Sequence, residues 1–226
     1  MAGWMVRRGR WRRIMLGAAI LAAWHWPASG QTAAPTPPAA VRVEVHAGVR
    51  DTRFMPLLMQ RLARVLAPAL QEGRFALDLQ PYAPSLPWGP MDAQPLLMRL
   101  GEDLLARGAQ SVTHVYIVED AIRLPPARFN FAASFGSPQT PVRLTVVSLA
   151  RLRALDADGS DPAPARTALR VFKLVAKNVA RLSGYAGEAG RCLFAFPASV
   201  GELDATPESF CEPDLGALVQ AGIARR

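Results

Sequence analysis

The chain has 226 residues and a net charge of +8, from 26 Lys and Arg against 18 Asp and Glu. Five of the arginines and none of the acids lie before residue 14, which leaves 21 basic against 18 acidic side chains, about +3, in the rest of the chain. Because the charge is concentrated in the first residues, the composition excludes a broad basic surface, and we expect no nucleic-acid partner.

The N-terminus has the order of a secretory signal. Its five arginines precede an apolar run from Ile14 to Trp24, and small residues follow up to Gly30. The run is short for a transmembrane helix, so the pattern predicts a signal peptide over residues 1–30 and a periplasmic or extracellular protein. An uncleaved anchor is the alternative, since Trp24 and Trp26 stand where interfacial aromatics would lie, and only then would the protein contact a membrane.

A proline-rich stretch follows the signal. Residues 31–40 carry three prolines among Ala and Thr and predict an extended linker. The remaining residues, 41–226, are enough for one domain with a sizeable core.

Hydrophobic periodicity predicts seven elements in this domain. Strands are predicted over Val41–His46, Phe75–Leu79, Val112–Val118 and Val142–Leu149, and helices over Met55–Gln71, Pro95–Arg107 and Ala165–Ser183. Pro68 indicates that the first helix kinks or ends early, and Glu119–Pro141 is predicted to be irregular. The order of elements predicts an α/β domain with a mixed, twisted sheet packed with helices.

The residues alone indicate no catalytic chemistry. The domain has two histidines, His46 and His114, each in a predicted strand and neither with a second ligand at metal-binding spacing. A structural or surface histidine is the better interpretation for both. The sequence also has no Gly-rich phosphate loop and no GxSxG motif.

The third predicted helix carries two stripes at helical spacing. The apolar stripe comprises Ala168, Val171, Phe172, Val175, Val179 and Leu182, and the basic stripe comprises Arg166, Arg170, Lys173, Lys177 and Arg181. Two interpretations of the basic stripe are open. It is either a solvated helix face, or a groove that binds an anion or an acidic peptide.

The chain has two cysteines, Cys192 and Cys211. Since an exported protein meets an oxidising compartment, a disulfide between them is expected, with free buried thiols as the alternative.

A succession of short segments carries a resemblance to a known family. They are Asn130-Phe131, Phe135-Gly136, Val146–Leu152, Gly184, Arg191–Phe194 and Pro207–Cys211. In this order and spacing they resemble the archaemetzincins, zinc metalloproteases of the metzincin type, over about residues 112 to 215. The resemblance implies a zincin-like fold, in which an extended substrate pairs with an edge strand, here within about Arg128 to Phe135.

The residues that hold and use zinc in that family are replaced here. The family motif is H-E-x-x-H-x-x-G-x-x-H, and its ligand positions fall on Lys177, Arg181 and, in a looser register, Gly187. The position of the glutamate base falls on Asn178, and that of the methionine beneath the metal on Phe194. Protonated cations and a glycine cannot coordinate zinc, so the resemblance implies a member without a metal cofactor.

The family's structural zinc site is also incomplete, because two of its four cysteines are missing and Asp214 occupies the last cysteine position. The remaining Cys192 and Cys211 can instead form one disulfide, replacing a metal clip by a covalent one.

Together these features predict an exported pseudoprotease that binds a peptide or protein partner. One alternative is a residual zinc peptidase with atypical ligands such as His46 or His114. The other is a structural domain of the cell envelope.

Overall fold

The computed structural model describes residues 35–84, 89–108, 111–153, 163–187 and 192–226. In these ranges there are seven strands and five α-helices. The strands are β1 Ala40–His46, β2 Ala69–Phe75, β3 Met91–Asp92, β4 Val112–Val118, β5 Ile122–Arg123, β6 Ala132–Phe135 and β7 Arg143–Ser148. The helices are α1 Met55–Val65, α2 Ala93–Ala106, α3 Pro164–Leu182, α4 Val200–Ala205 and α5 Asp214–Gln220.

The predicted signal peptide and the beginning of the linker, residues 1–34, lie outside the described residues. Within the described ranges no helix is long and apolar enough to cross a membrane.

Five strands form one sheet in the order β2-β1-β4-β7-β6. Strands β2, β1, β4 and β7 are parallel neighbours, and β6 pairs antiparallel with β7. This confirms the predicted mixed sheet, and the short antiparallel strand β6 forms one of its edges. Strands β3 and β5 form a separate parallel pair.

Helices cover both faces of the sheet. On one face, alternate valines such as Val43 and Val115 pack with α1 and α3 in the larger core. On the other face, Tyr116 and Leu144 pack with α2 in a second core. This two-sided burial explains why β4 and β7 are buried along almost their whole length.

Helix α1 is shorter than the helix predicted over Met55–Gln71. It ends at Val65, after which Leu66 forms an isolated bridge with Ala224 and Ala67 N donates to Ile223 O. Pro68 carries no N–H to continue the helix, so the early end that it indicated is confirmed.

Strand β2 lies at Ala69–Phe75, before the strand predicted at Phe75–Leu79. Its sequence, ALQEGRF, is mostly exposed because the strand is an edge of the sheet. Without a buried face it has no apolar alternation to detect.

The stretch Glu119–Pro141, predicted to be irregular, contains β5 and β6. Strand β6 lies within the Arg128–Phe135 range in which the family resemblance placed an edge strand.

The second half of the predicted linker packs on the domain. Pro38 is buried, and Thr36 N donates a 2.8 Å hydrogen bond to Ser183 O at the end of α3. Thr36 O in turn accepts a 3.0 Å hydrogen bond from Arg143 on β7. Residues 35–40 are therefore packed against the folded domain, whereas a free linker would not be.

Candidate functional site

Helix α3 carries the positions onto which the sequence resemblance places the zinc motif, and it is the most enclosed helix of the described fold. Its six apolar-stripe residues are all buried, which confirms the predicted inward face. Proline at its first position fits a helix start, because that N–H would be unpaired in any case. One side of the helix packs on the sheet, and another faces residues 192–206, which we call the C-terminal segment.

The interpretation of the basic stripe as a solvated face is wrong for three of its members. Arg170, Lys173 and Lys177 are only 3%, 2% and 7% exposed. Arg166 is exposed and Arg181 is half-buried. The buried cations are covered by the C-terminal segment, and buried charges need compensating polar partners. The following contacts supply them.

Arg170 forms a two-pronged ion pair with Asp204. Its Nε and Nη2 atoms lie 2.8 and 2.7 Å from the two carboxylate oxygens, and its Nη1 donates to Leu152 O at 2.8 Å. These hydrogen bonds from Arg170 hold the pKa of Asp204 below its usual value. The pair fixes the C-terminal segment to the first half of α3.

Lys173 binds the end of helix α4. Its Nζ donates to Leu203 O at 2.9 Å and to Asp204 O at 3.0 Å, where a helix leaves carbonyl oxygens without intrahelical partners. Burial lowers the pKa of Lys173. The start of α4 is also capped, since Ser199 Oγ accepts from Glu202 N and Glu202 accepts from Ala198 N.

Lys177, at the first ligand position of the motif, donates from Nζ to Ala195 O at 2.9 Å. Burial, and secondarily the nearby charge of Arg181, lowers the pKa of Lys177 to about 8. Both cations lie over the ring of Phe196, with Lys177 Nζ 5.0 Å and Arg181 Cζ 4.2 Å from its centroid. The ring itself is 62% exposed.

Asn178, at the position of the catalytic glutamate, faces the sheet. Its Nδ2 lies 3.4 Å from Thr145 Oγ1 on β7, and Ser134 Oγ donates to the same Thr145 oxygen at 3.0 Å. A chain of polar side chains thus connects the middle of α3 with the edge strand β6.

The free edge of β6 has a defined hydrogen-bonding direction. Ser148 N donates to Phe131 O at 2.9 Å, and the register pairs Ala133 with Val146. Since antiparallel pairs alternate between bonded and non-bonded, the backbone groups of Ala132 and Ser134 point away from β7. They present the donors and acceptors that an added strand would use.

Gly187, at the third ligand position, lies against Phe194, at the methionine position. Gly187 has φ +67°, and a Cβ built there would lie 2.4 Å from the Phe194 ring. The ring is fully buried and packs against Tyr185 and Phe210 at centroid distances of 5.7 and 5.3 Å. A side chain at position 187 would therefore force this ring or the backbone to shift.

These residues do not fit a zinc ion. An ammonium that donates to a carbonyl and a guanidinium stacked on a ring have no lone pair to offer, and Gly187 has no side chain. Among the described residues, no group of three or more His, Cys, Asp or Glu is placed to hold a metal.

Cys192 and Cys211 form a disulfide, as expected, with their Cα atoms 5.7 Å apart. The disulfide connects the first residue of the C-terminal segment, Cys192, to Cys211 beyond its end. Asp214, at the last cysteine position of the family, is buried and accepts a 2.9 Å hydrogen bond from Tyr185. Burial, with this hydrogen bond, raises the pKa of Tyr185 to about 12.

The two histidines lie on the opposite face of the sheet from α3. His114 is buried, with Nδ1 3.3 Å from Glu44, and packs beside Tyr116 in the core under α2. His46 lies 2.9 Å from Leu77 O and accepts from Gly48 N, at the rim of a cavity of about 250 Å³ beyond the end of β1. The interpretation of both as structural residues agrees with these contacts.

Sequence reasoning identified the helix positions but missed their partners. Ala195, Phe196 and Asp204 are 15 to 34 residues from the cations they contact. Backbone acceptors leave no trace in a sequence. Only the Ser199–Glu202 capping pair signalled a helix in this region.

Comparison with known proteins adds a fold relationship. No family model and no curated protein sequence matches the chain. Among solved structures, a zinc-dependent peptidase from Methanocorpusculum labreanum superimposes with a TM-score of 0.62 at 18% identity, over 79% of this chain and 99% of that one.

Two archaemetzincin structures show a similar fold match to this chain. The Archaeoglobus fulgidus protein, crystallised with malonate, has a TM-score of 0.59 at 16% identity over 79% of this chain and 99% of its own. The Methanopyrus kandleri protein has a TM-score of 0.60 at 20% identity over 80% and 94%. The resemblance noted in the sequence is therefore confirmed at the level of the fold.

Proposed function

We propose that this chain, which has the archaemetzincin-type fold, is an exported pseudoprotease that binds an extended peptide or protein segment along β6 without zinc. The observation that carries the proposal is the position of Asn178. It connects through Thr145 and Ser134 to the free edge of β6, while Lys177 beside it is engaged with the C-terminal segment.

Loss of hydrolysis follows from the chemistry of the replaced residues. A general base must accept a proton, and the Asn178 amide nitrogen is a donor directed at Thr145. Lys177 and Arg181 cannot supply the lone pairs that a metal needs to activate water. The described part of the motif helix therefore offers neither a base nor a metal site.

Binding does not depend on these lost groups. An extended peptide pairs with a sheet edge through backbone hydrogen bonds, and side-chain contacts supply specificity. The outward backbone groups of Ala132 and Ser134 provide such an edge, and Ser134 is exposed.

The test is selection of peptides from a phage-displayed random library against the domain of residues 31–226, followed by affinity measurement on two variants. Ser134→Pro removes the outward N–H, whereas the matched control Ser134→Ala removes only the hydroxyl. We expect selected peptides to lose at least about tenfold in affinity with Ser134→Pro and little with Ser134→Ala. Peptides that bind both variants equally, or a selection that yields no binder, would contradict pairing at β6 and favour a structural domain.

A residual zinc peptidase is less well supported. Its proposed ligands His46 and His114 lie on the far side of the sheet from Lys177, and His114 is buried against Glu44. Replacement of either histidine by alanine should leave the peptide affinity unchanged.

Export is supported by the leader pattern and by the disulfide, which is typical of oxidising compartments. Mass spectrometry of the protein from fractionated cells tests it. A mature form beginning at Gln31 outside the cytoplasm is the expected result. A full-length form in the membrane fraction would instead identify the leader as an anchor.

A further inference from the structure

Two cations at the former ligand positions, Lys177 and Arg181, are adjacent and unneutralised. Neither forms an ion pair with any carboxylate in the described part of the chain. The neighbouring members of the stripe differ, since Arg170 is paired with Asp204 and Lys173 lies close enough to Asp204 and Glu208 to be influenced by their charges. Positive charge is therefore uncompensated by described carboxylates at the end of the stripe formed by Lys177 and Arg181.

The guanidinium of Arg181 has unused donors. It lies over the face of the Phe196 ring, and its buried Nε has no hydrogen-bond partner among the described residues. A guanidinium carries five N–H donors, and buried donors without acceptors cost free energy. The two Nη groups, which unlike Nε are not buried, are the donors that an incoming anion would meet.

Lys177 can contribute to the same anion. Its ammonium has three donors, of which one is directed at Ala195 O. Because Lys177 and Arg181 are one helical turn apart and contact the same ring, their free donors converge beside Phe196. The Phe196 ring is mostly exposed and Arg181 is half-buried, so the solvent side of this place is formed by the ring and by Arg181.

We propose that Lys177, Arg181 and Phe196 form a carboxylate-binding site that receives an acidic side chain of the bound partner. The planar fork of Arg181 matches a carboxylate in a two-pronged pair, Lys177 adds a point charge, and the Phe196 ring packs against the adjoining methylene groups. The assignment of the carboxylate to a peptide rests on the proposed function. The site itself rests on the geometry of these three residues.

The location suits a peptide on β6. Lys177 and Asn178 are consecutive on α3, and Asn178 leads through Thr145 to Ser134 on the edge strand. A partner paired with β6 therefore lies along the same helix as the two cations. Specificity for acidic sequences would come from this helix and affinity from the backbone.

The site is tested first without any peptide, with sodium acetate as the probe. In protein labelled with ¹⁵N-arginine, the Nε–H signal of Arg181 should shift saturably with acetate up to about 0.1 M, relative to chloride at equal ionic strength. The signal is assigned by its loss in Arg181→Gln. Arg99→Gln, which removes an exposed charge on α2 across the sheet, is the control that should leave the response unchanged. An unmoved Nε–H signal, or an equal response to chloride, would overturn the site.

The second test uses the peptides selected on the wild-type domain. Replacing one Asp or Glu of the peptide by Asn or Gln should weaken binding about tenfold to the wild type and much less to Arg181→Gln. A free C-terminus is distinguished by amidating the same peptides. Loss of affinity on amidation alone would assign the carboxylate to the chain terminus and overturn the side-chain assignment.

The two proposals can fail separately. Peptides that depend on Ser134 but not on their acids would keep the edge pairing and reject the carboxylate site. An acetate response together with no Ser134-dependent peptide would keep the carboxylate site and reject its peptide occupant.

Discussion

The ammonium of Lys177 donates a 2.9 Å hydrogen bond to the backbone oxygen of Ala195. A side chain at a ligand position of the zinc motif thus holds the chain's own C-terminal segment in place. Nearer the start of the helix, Arg170 binds the Asp204 carboxylate and Lys173 binds Leu203 O in the same segment. The basic stripe is therefore mainly buried against the C-terminal segment, and at its end Lys177 and Arg181 form no ion pair with a described carboxylate.

The buried Lys177 should make stability depend on pH. Its pKa is about 8 in the folded protein against 10.5 for an ordinary lysine, so between these values the unfolded chain binds more protons. Stability should therefore rise as pH increases from about 8 to about 10.5, by up to about 3 kcal/mol. Urea unfolding across this range should show this rise in the wild type relative to Lys177→Met. Parallel curves for the two proteins would contradict it.

The ion pair between Arg170 and Asp204 should stabilise the fold measurably. Asp204→Ala removes the two charge-assisted hydrogen bonds that this carboxylate accepts from a guanidinium that is 3% exposed, at an expected cost of about 2 kcal/mol in the free energy of unfolding. Asp103→Ala is the control, because its pair with Arg107 is half exposed and should be worth less than about 0.5 kcal/mol. Similar effects from the two substitutions would show that the Asp204 contact does not anchor the segment.

Gly187 and Gly108 form a matched pair, since both have φ +67° but only Gly187 is crowded. Gly108→Ala should cost about 1 kcal/mol, the backbone strain alone. Gly187→Ala should cost a further 1 to 3 kcal/mol or so, because its Cβ meets the Phe194 ring. A Phe194→Leu background should reduce that extra cost. Equal losses in the free energy of unfolding at both glycines would contradict close packing of the Phe194 ring against Gly187.

The disulfide should stabilise the domain through the loop that it closes. The cysteines are 19 residues apart, and the double variant Cys192→Ser/Cys211→Ser should lose roughly 3 kcal/mol. Chemical denaturation with and without reductant measures this for the wild type, and the double variant should be insensitive to reductant. A wild type that is equally stable with and without reductant would show that the disulfide contributes no stability.

Hydrophobic periodicity predicted the elements whose buried apolar side chains recur at regular spacing. Helix α3 has apolar side chains at regular spacing, and β4 ends in the apolar run Val115–Val118, so both were found to within about two residues. Strand β2 was misplaced because an exposed edge carries polar residues on both faces. Strand β6 was expected from the family resemblance alone, since four residues are too few for a pattern.

The basic stripe shows why burial is harder to predict than position. The spacing of its five basic residues predicted that they share one helix face. Because charged side chains usually face solvent, a solvated face was the simpler of the two interpretations. Lys173 and Lys177 are buried where the carbonyl oxygens of Leu203 and Ala195, distant in sequence, accept their hydrogen bonds. The replaced zinc motif indicated which residues matter, but not what they contact.

We propose that Lys177 and Arg181, at the positions where the resemblance places zinc ligands, act as hydrogen-bond donors and hold no metal. The most direct measurement is the zinc content of the purified domain after equilibration with zinc and removal of the excess. Lys177→His/Asn178→Glu/Arg181→His, which restores two imidazoles one turn apart, serves as a positive control. We predict substoichiometric zinc in the wild type and more in the control variant. One zinc per wild-type chain, removed by a chelator together with a peptidase activity, would contradict the account.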